Sequence, residues 1–326
     1  MIVPAGQHPA KPLPFWRRRG SAAVAAEPAG ASPAAPPAVA VVTDSAAAFP
    51  LQQPGDDLVE GRLSIVPMPV IVSGEVYQEG DPELSGLLSV ALAAGWPVST
   101  SRPSPGQFEK TYQDLIALGY RNIVSLHLSA ELSGTVEAAR LAASRFPDIR
   151  IDVVDSRTVA LALGLGVRAA VAAARQQGSA EQVLLAARSV WDSSEMFFSV
   201  PSLEQLRRGG RIGAAASWLG TMLAIKPILG IAEGKVVPLE RVRSSARAEA
   251  KLEELIGESF ARNSEEQILG IQYFGNPEQA QQLLERMRAR VPAATETLLI
   301  QLPAVLAAHA GMGVLAGVVA TPAQAL

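Results

Sequence analysis

The fold is decided by the stretch NIVSLHLSAELSGT, residues 122–135, in which an apolar strand runs into a polar loop. Residues 122–128 have the short apolar pattern of a strand that is buried in a parallel sheet. The hydroxyl residues and the glycine that follow are typical of the start of a helix. This stretch therefore predicts a strand, a loop and a helix in immediate succession.

The same pattern occurs twice more, once on each side of this stretch. AVAVV at 38–42 runs into Thr43-Asp44-Ser45, and IDVV at 151–154 runs into Asp155-Ser156-Arg157. Helical patterns accompany these strands at 107–118, 136–144 and 158–175. Strands that alternate with helices in this way predict an α/β domain built on a parallel sheet.

Two further regions complete the predicted architecture. Residues 63–77 are rich in Val, Ile and Pro around Ser73-Gly74, which predicts a small β hairpin inserted into the α/β domain. From residue 196 onward, short strands and helices follow in the mixed order of an α+β domain. The predicted parts are a disordered Pro/Ala-rich tail at 1–37, an α/β domain at 38–195 with a β insertion at about 63–98, and a smaller α+β domain at 196–326.

Composition excludes several classes of protein. The 326 residues are 48% hydrophobic and 18% charged, which suits a chain with a large folded core. The net charge of -3 leaves no positive excess to hold a polyanion, so we expect no nucleic acid partner. The chain has no cysteine, which excludes disulfides and thiol nucleophiles and fits the cytoplasm. With only 3 histidines, any metal would need carboxylate ligands, and we expect no metal site.

The stretch most similar to a membrane span lies at 298–320. It contains Gln301, Pro303 and His309, which are costly in hydrocarbon. We therefore predict a buried strand, a turn and a second strand here, and no integral membrane segment.

Clusters of hydroxyl and carboxylate residues follow the three predicted strands of the parallel sheet. Ligands of open parallel sheets bind outside the carboxyl ends of the strands, so Thr43-Asp44-Ser45, residues 129–135 and Asp155-Ser156 are expected at one edge. The alternative is that these residues only cap helices, as Ser, Thr and Asp commonly do. Both interpretations stay open for Asp155-Ser156.

Two of the candidate sites consist of small hydroxyl residues near helix starts. Ser133-Gly134-Thr135 would expose backbone N–H groups to an anion at a helix N-terminus. Three consecutive hydroxyl residues, Ser99-Thr100-Ser101, precede the helix predicted near Gln107, and a rigid loop with a helix cap does not account for all three. We therefore single out Thr100, Ser101, Ser133, Gly134 and Thr135.

Two further candidates are ionisable side chains. Arg211 follows Gly209-Gly210, a pair that can adopt positive φ and turn the arginine inward towards a carboxylate or phosphate. His309 follows an apolar run and is expected to be at least partly buried, where a satisfied core histidine is as good an interpretation as a ligand-binding one.

Two strings resemble cofactor motifs only loosely. G-x-G-x-x-A occurs at 164–169 and 311–316, but neither string opens a strand, turn and helix unit. We therefore expect no nicotinamide or flavin cofactor. A strand-borne G-x-S-x-G is also absent from the sequence, so a serine hydrolase lacks its nucleophile elbow.

Seven short motifs, taken in order, resemble the DegV family of bacterial fatty-acid-binding proteins over roughly residues 39–320. They are VTDS at 42–45, TSRPS at 100–104, LSGT at 132–135, VDS at 154–156, GGRI at 209–212, KP at 226–227 and HxGxG at 309–313. The sequence departs from the family pattern where the family usually has glutamine at Arg102 and proline at Met312, and in its 37 leading residues.

The resemblance implies a two-domain EDD fold that holds one long-chain fatty acid between its domains, with no other cofactor. In the family, the carboxylate is bound by residues that correspond to Thr100 and Ser133, and in some members an arginine and a histidine corresponding to Arg211 and His309 lie close to it. Apolar residues at 219–229, with Leu161, Leu163 and Leu165, are candidates for the acyl slot, although core packing is the favoured interpretation for each alone.

The leading hypothesis is a non-catalytic carrier in phospholipid metabolism, which presents the fatty-acid carboxyl to a separate fatty-acid kinase that makes the acyl phosphate. Arg243 resembles a basic position of the family and is a speculative residue for partner docking. One alternative is a phosphotransferase or phosphatase that uses Asp44 as nucleophile or Mg²⁺ ligand together with Asp155. Another is a lipid-responsive regulatory protein with no kinase partner.

Overall fold

A parallel sheet forms around the first strand that the structure describes. In this computed structural model the described residues are 39–49, 62–218, 225–262, 266–292 and 295–323, so the predicted disordered tail lies outside them. The four strands, in spatial order, are β2 Leu63–Val66, β1 Ala40–Asp44, β6 Asn122–His127 and β7 Arg150–Asp155. Every neighbouring pair is parallel, which confirms the predicted α/β architecture.

Helices cover both faces of this sheet. On one face lie α2 Pro105–Ala117 and α3 Thr135–Ala143, and on the other lie α4 Ala160–Arg175 and α5 Ala180–Ser193. Side chains of β1 alternate between the two cores, with Val41 on the α4 side and Ala40 and Val42 on the α2 side. A strand that is buried on both faces needs apolar residues at consecutive positions, which is the pattern seen at 38–42.

The insertion is an antiparallel three-stranded sheet with one helix. Its strands lie in the order β4 Glu75–Gln78, β3 Pro69–Val72 and β5 Val98–Thr100, and α1 Leu84–Ala94 connects β4 to β5. Ser73 and Gly74 form the predicted two-residue turn, with φ of 52° and 91°. The predicted hairpin over 63–77 is wrong at its start, because residues Leu63–Val66 pair with β1 in the parallel sheet.

A second sheet contains six strands and has mixed directions. In spatial order they are β10 Lys235–Val242, β9 Lys226–Ala232, β8 Glu195–Ser199, β13 Val314–Ala320, β11 Ile268–Phe274 and β12 Glu296–Gln301. β11 and β12 pair in parallel, and the other neighbours pair antiparallel. One face packs on α7 Ser245–Arg262 and α8 Pro277–Arg288, and the other face joins the core of α4 and α5. The boundary between domains at residues 195 and 196 stays a prediction.

Short helices connect the strands of the second sheet. They are α6 Glu204–Arg208, a 3₁₀ helix Gly213–Trp218 and α9 Ala304–Ala310. The expectation of strand, turn and strand at 298–320 is wrong in its middle, because 304–310 form a helix rather than a turn. Residues 219–224, which follow the 3₁₀ helix, lie outside the described part. None of the helices described here combines the length and the apolar composition needed to cross a membrane.

Glycines inside α4 are explained by close packing. A Cβ atom on Gly164 would lie 1.9 Å from the carbonyl oxygen of Ala48, and one on Gly166 would lie 2.0 Å from Nε1 of Trp191. Both distances are far below van der Waals contact. The G-x-G-x-x-A string at 164–169 is therefore a packing feature of a helix, in agreement with its rejection as a dinucleotide motif.

We expect Gly164→Ala to lower the free energy of unfolding by at least about 1–3 kcal/mol, the usual cost of overpacking, because the clash is with backbone. The matched control is Gly257→Ala in α7, where a Cβ atom would meet open space. That variant should gain up to about 1 kcal/mol from helix propensity. Urea denaturation of both variants checks this, and a Gly164→Ala protein as stable as the wild type would contradict it.

Candidate functional site

A cavity lies where the parallel sheet, the insertion and the second sheet meet. Its volume, counted as the space open to the centre of a water molecule, is about 100 Å³. Since one water needs about 10–15 Å³ on this measure, the cavity has room for several water-sized groups. Its apolar walls come from strands β8, β9, β10 and β13 of the second sheet, from α6, α9 and the start of α4, and from segments that connect the other elements. They consist of Met68, Leu128, Leu132, Val159, Ala160, Met196, Phe198, Leu206, Ile231, Val236, Leu302, Val305, Leu306, Ala310, Val314 and Ala316.

The residues predicted from sequence come together around this cavity. Those that line it are Thr100, Ser101, Ser133, Arg211 and His309. Gly134 and Thr135 follow Ser133 directly, as the N-cap and first residue of α3. Ser101 is exposed and marks the opening, whereas Ser133 is buried. The arrangement is an apolar cavity with a polar mouth.

Thr100 and His309 form a hydrogen bond across the mouth. Thr100 Oγ1 lies 2.7 Å from His309 Nε2, which joins the insertion sheet to α9. The imidazole ring packs against Gly209, where a Cβ atom would lie 2.1 Å from Nδ1. Burial, with a smaller effect of the Arg211 charge, lowers the pKa of His309 to about 4. The ring is therefore neutral at physiological pH and carries one N–H. It can donate that single hydrogen bond either to Thr100 or to a ligand oxygen.

Ser133 lies at the N-terminus of α3. Its hydroxyl is 2.8 Å from that of Thr135, which is fully buried. When Thr135 donates in this pair, the proton of Ser133 is available to an oxygen in the cavity. The positive end of the helix dipole adds attraction for an anion at the same place.

Arg211 turns inward as the glycine pair predicted. Gly210 has a φ of 70°, and the guanidinium is half-buried. Its Nε donates to the Leu132 carbonyl at 2.9 Å, and Nη1 donates to the Gly209 carbonyl. Among the described residues it has no carboxylate partner, so its charge is available to a ligand.

Two residues at this site were not singled out from the sequence. Arg102 lines the cavity beside Ser101. Glu79 accepts hydrogen bonds from the backbone N–H groups of Ala304 and Val305, at 3.0 and 2.8 Å, and burial raises its pKa. This carboxylate caps the first turn of α9 and holds the His309 helix against the insertion. Since its partners lie more than two hundred residues away in the chain, no local pattern identifies it.

The two aspartates of the enzymatic alternative serve backbone groups. Asp44 is fully buried, and its oxygens accept from the N–H groups of Ala46 and Leu128, each at 3.0 Å. His127 Nδ1 lies 2.9 Å from the same carboxylate. Asp155 accepts from the N–H groups of Ala130 and Arg157. These contacts favour a structural role for both aspartates. The role is to hold the backbone of the turns that follow the strands, rather than to cap helices.

His127 continues from Asp44 into a chain of hydrogen bonds. Its Nε2 lies 2.7 Å from Ser125 Oγ, which lies 2.9 Å from the Tyr112 hydroxyl. The order Asp, His, Ser is that of a hydrolase triad, but all of these side chains are fully buried within the sheet and its helices. In the part of the chain that the structure describes, no group of three or more His, Asp and Glu side chains is arranged to hold a metal ion.

The fold and the cavity define the class as an α/β protein that encloses an apolar cavity with a polar mouth. A family model described as uncharacterised proteins of the DegV family matches residues 38–322. This chain therefore belongs to the DegV family.

Relatives and solved structures agree with this assignment. A DegV domain-containing protein of Streptomyces coelicolor is 37% identical over 283 residues, which cover 87% of this chain and 98% of that protein. A DegV family protein from Thermus thermophilus, described as binding fatty acid, is 30% identical with a TM-score of 0.79 and covers 87% of this chain and 99% of its own. DegV of Bacillus subtilis, described as a fatty acid binding protein, is 26% identical with a TM-score of 0.77 over the same shares.

We expect His309 to make the protein less stable as the pH falls from about 6.5 to 4. Its pKa is about 4 when folded and 6.5 ordinarily, so the unfolded chain binds more protons in this window and stability rises with pH. His309→Gln should therefore lose less stability than the wild type on acidification. Urea unfolding at both ends of the window, with NMR titration of the ring, checks this, and a ring that titrates near 6.5 would contradict it.

Proposed function

We propose that this chain binds one long-chain fatty acid, with the carboxylate at the polar mouth and the acyl chain along the apolar walls. The observation that carries the proposal is the cavity itself, in which Arg211, Ser133 and the Thr100–His309 pair lie beside apolar residues. The descriptions of the Thermus thermophilus and Bacillus subtilis structures as fatty-acid-binding support it.

The energetics of the two ends of such a ligand suit this site. A buried carboxylate is prohibitively costly unless it is paired and hydrogen-bonded, and Arg211, Ser133 and Thr100 supply a charge and two hydroxyl donors. A chain of about fourteen methylenes would contribute on the order of 11 kcal/mol, at ~0.8 kcal/mol each. The supporting roles fall to Ser101 at the opening, the N-cap Gly134, and Thr135, which orients Ser133.

We further propose that the chain is a cytoplasmic carrier rather than a catalyst, and that a fatty-acid kinase converts the presented carboxyl to the acyl phosphate. Among the described residues, the polar lining of the mouth consists of hydroxyls, two arginines and a neutral histidine, so it offers hydrogen-bond donors and positive charge but no carboxylate. Such a set stabilises an anion in place. A regulator that binds the same ligand without a kinase would show the same cavity and no acyl phosphate.

Ser133→Ala should weaken fatty-acid binding at least about tenfold, because a hydrogen bond to a charged group contributes about 1.5–3 kcal/mol. The control is Ser89→Ala in α1, whose hydroxyl bonds only the Ser85 carbonyl within its own helix. Titration with palmitate and native mass spectrometry of the purified proteins give the readout. Equal retention by Ser133→Ala and wild type, with both folded, would rule out this head-group assignment.

Arg243 is the proposed docking residue for the kinase. It is exposed and lines a surface groove near the end of β10. The charged residues of this groove are four cations, Arg241, Arg243, Arg247 and Lys251, and two carboxylates, Glu240 and Glu254. The excess of positive charge suits an acidic partner surface. None of these residues lines the cavity.

Arg243→Glu should therefore reduce acyl phosphate formation by a fatty-acid kinase severalfold and leave palmitate affinity unchanged. Arg188→Glu makes the same charge change at an exposed position of α5, and serves as the control. The rate at several carrier concentrations separates docking from turnover. An identical rate for the two variants would remove Arg243 from the docking surface.

A further inference from the structure

Gln272 has one buried hydrogen-bond donor without a partner. The residue lies in β11 and is fully buried. Its Oε1 accepts the N–H of Leu161 at 3.2 Å, whereas Nε2 has no hydrogen-bond partner among the described residues. Because a backbone N–H can only donate, this contact fixes which end of the amide is the oxygen. The unpartnered atom is therefore the donor.

The amide lies on the side of the second sheet that faces the cavity. Side chains alternate between the two faces along a strand. Ile271 belongs to the core of α7 and α8, whereas Phe274 belongs to the core that includes several of the cavity walls. Gln272 is one residue from the first and two from the second, so it shares the face of Phe274.

Two residues of the cavity wall are next to Gln272. Ala316 of β13 pairs with it across the antiparallel strands, and the Cβ atoms of such pairs lie roughly 5 Å apart on the same face. Ala160 directly precedes Leu161, whose N–H bonds the amide oxygen. Both alanines line the cavity with a single methyl group. Gln272 thus stands behind this wall, and little separates its amide from the cavity.

The backbone of Ala160 shows that the oxygen of Gln272 has a structural role. Ala160 has a φ of 59°, in the left-handed region that residues with a Cβ atom rarely adopt. Such a conformation persists only when the surroundings fix it, and it occurs often at ligand sites. The hydrogen bond from Leu161 to Gln272 and that from the Ala48 N–H to the Ala160 carbonyl hold this segment. The donor end of the amide has no comparable task among the described residues.

The surroundings of Nε2 suit an oxygen that only accepts. Its neighbours on this face include Gly270, Phe274 and Ala316, whose side chains carry no polar atoms, and the backbone of β11 pairs with β12 and β13. A buried water typically makes about three hydrogen bonds. A water or a hydroxyl would bring protons that these groups do not accept, whereas a ketone oxygen needs only a donor.

We propose that Gln272 is a specificity-determining residue, whose Nε2 donates a hydrogen bond to a ketone on the acyl chain. The ligand class is an oxo fatty acid, with its carboxylate at the mouth and its ketone beside Ala160 and Ala316. This inference rests on the proposed function for the position of the chain. An unsubstituted fatty acid binds the same cavity but leaves the buried donor unpaired, which is costly.

The test compares stearate with oxostearates that carry the ketone at successive carbons, and with the matching hydroxystearates. Affinities are measured by calorimetry on wild type, Gln272→Met and Gln267→Met. Methionine has nearly the length of glutamine but no donor. Gln267 is the matched control, because it is also buried, precedes β11 and does not line the cavity. Infrared spectra of the bound ketones report the hydrogen bond directly, since a donor lowers the C=O stretching frequency.

We expect the oxostearate with the best-placed ketone to bind wild type about tenfold more tightly than stearate. It should also bind more tightly than its hydroxy analogue. Gln272→Met should abolish both the preference and the infrared shift and leave stearate binding nearly unchanged. Gln267→Met should retain both.

Equal affinity of the wild type for stearate and every oxostearate would overturn the proposal, as would a ketone band that is unshifted at every position. Both results need only the wild type, so they decide the matter even when Gln272→Met fails to fold. A preference that survives in folded Gln272→Met would remove Gln272 from this role, and a hydroxystearate bound as tightly as its oxo analogue would overturn the choice of a ketone. Wild type that binds neither stearate nor any oxostearate would instead overturn the proposed function.

Discussion

The buried carboxylate of Asp44 fixes the edge of the sheet on which the site is built. One oxygen accepts the N–H of Ala46 and the other accepts that of Leu128, so the ends of β1 and β6 are held together by one side chain. Leu128 lies in the cavity wall, and the LSGT loop begins four residues later. An unpaired charge in a sheet of this kind is costly, and His127 on the same carboxylate reduces that cost. The polar mouth is thus positioned by hydrogen bonds that no ligand reaches.

From that edge, the mouth is assembled by elements that are distant in sequence. Thr100 comes from the insertion, Ser133 from the start of α3, Arg211 from the turn after α6, and His309 from α9. Two contacts hold the insertion and α9 in register, the Thr100–His309 hydrogen bond and the cap that Glu79 places on α9. Because the histidine is neutral, the positive charge at the mouth comes from arginine side chains, Arg211 and the exposed Arg102.

How much of the structure can be predicted from the sequence depends on how far apart in the chain the interacting residues lie. The strand and loop patterns at 38–45 and 122–135 predict the parallel sheet because burial on both faces imposes a local composition. The turn at Gly209-Gly210 and the inward arginine are also local, since a positive φ favours glycine. By contrast, β2 is recognisable only through its partner β1, α9 is too short for a periodic pattern, and Glu79 acts on residues at the other end of the chain. α5 was overlooked despite a local signal, the Ser179 and Gln182 capping box.

The walls of the cavity show why an apolar slot is harder to predict than its polar mouth. Leu161, Leu163 and Leu165 were possible lining residues, yet they are fully or almost fully buried in the core, as the favoured interpretation had it. Residues 219–224 of the other candidate stretch lie outside the described part, and its Ile228 and Leu229 are also buried in cores. Val314 and Ala316 of β13, in contrast, belong both to the core and to the cavity wall. A wall residue and a core residue have the same chemistry, and they differ only in whether a neighbouring side chain fills the space on one side. That difference depends on the volumes of the side chains on several strands together, so it is a property of the packed sheets and not of any one segment.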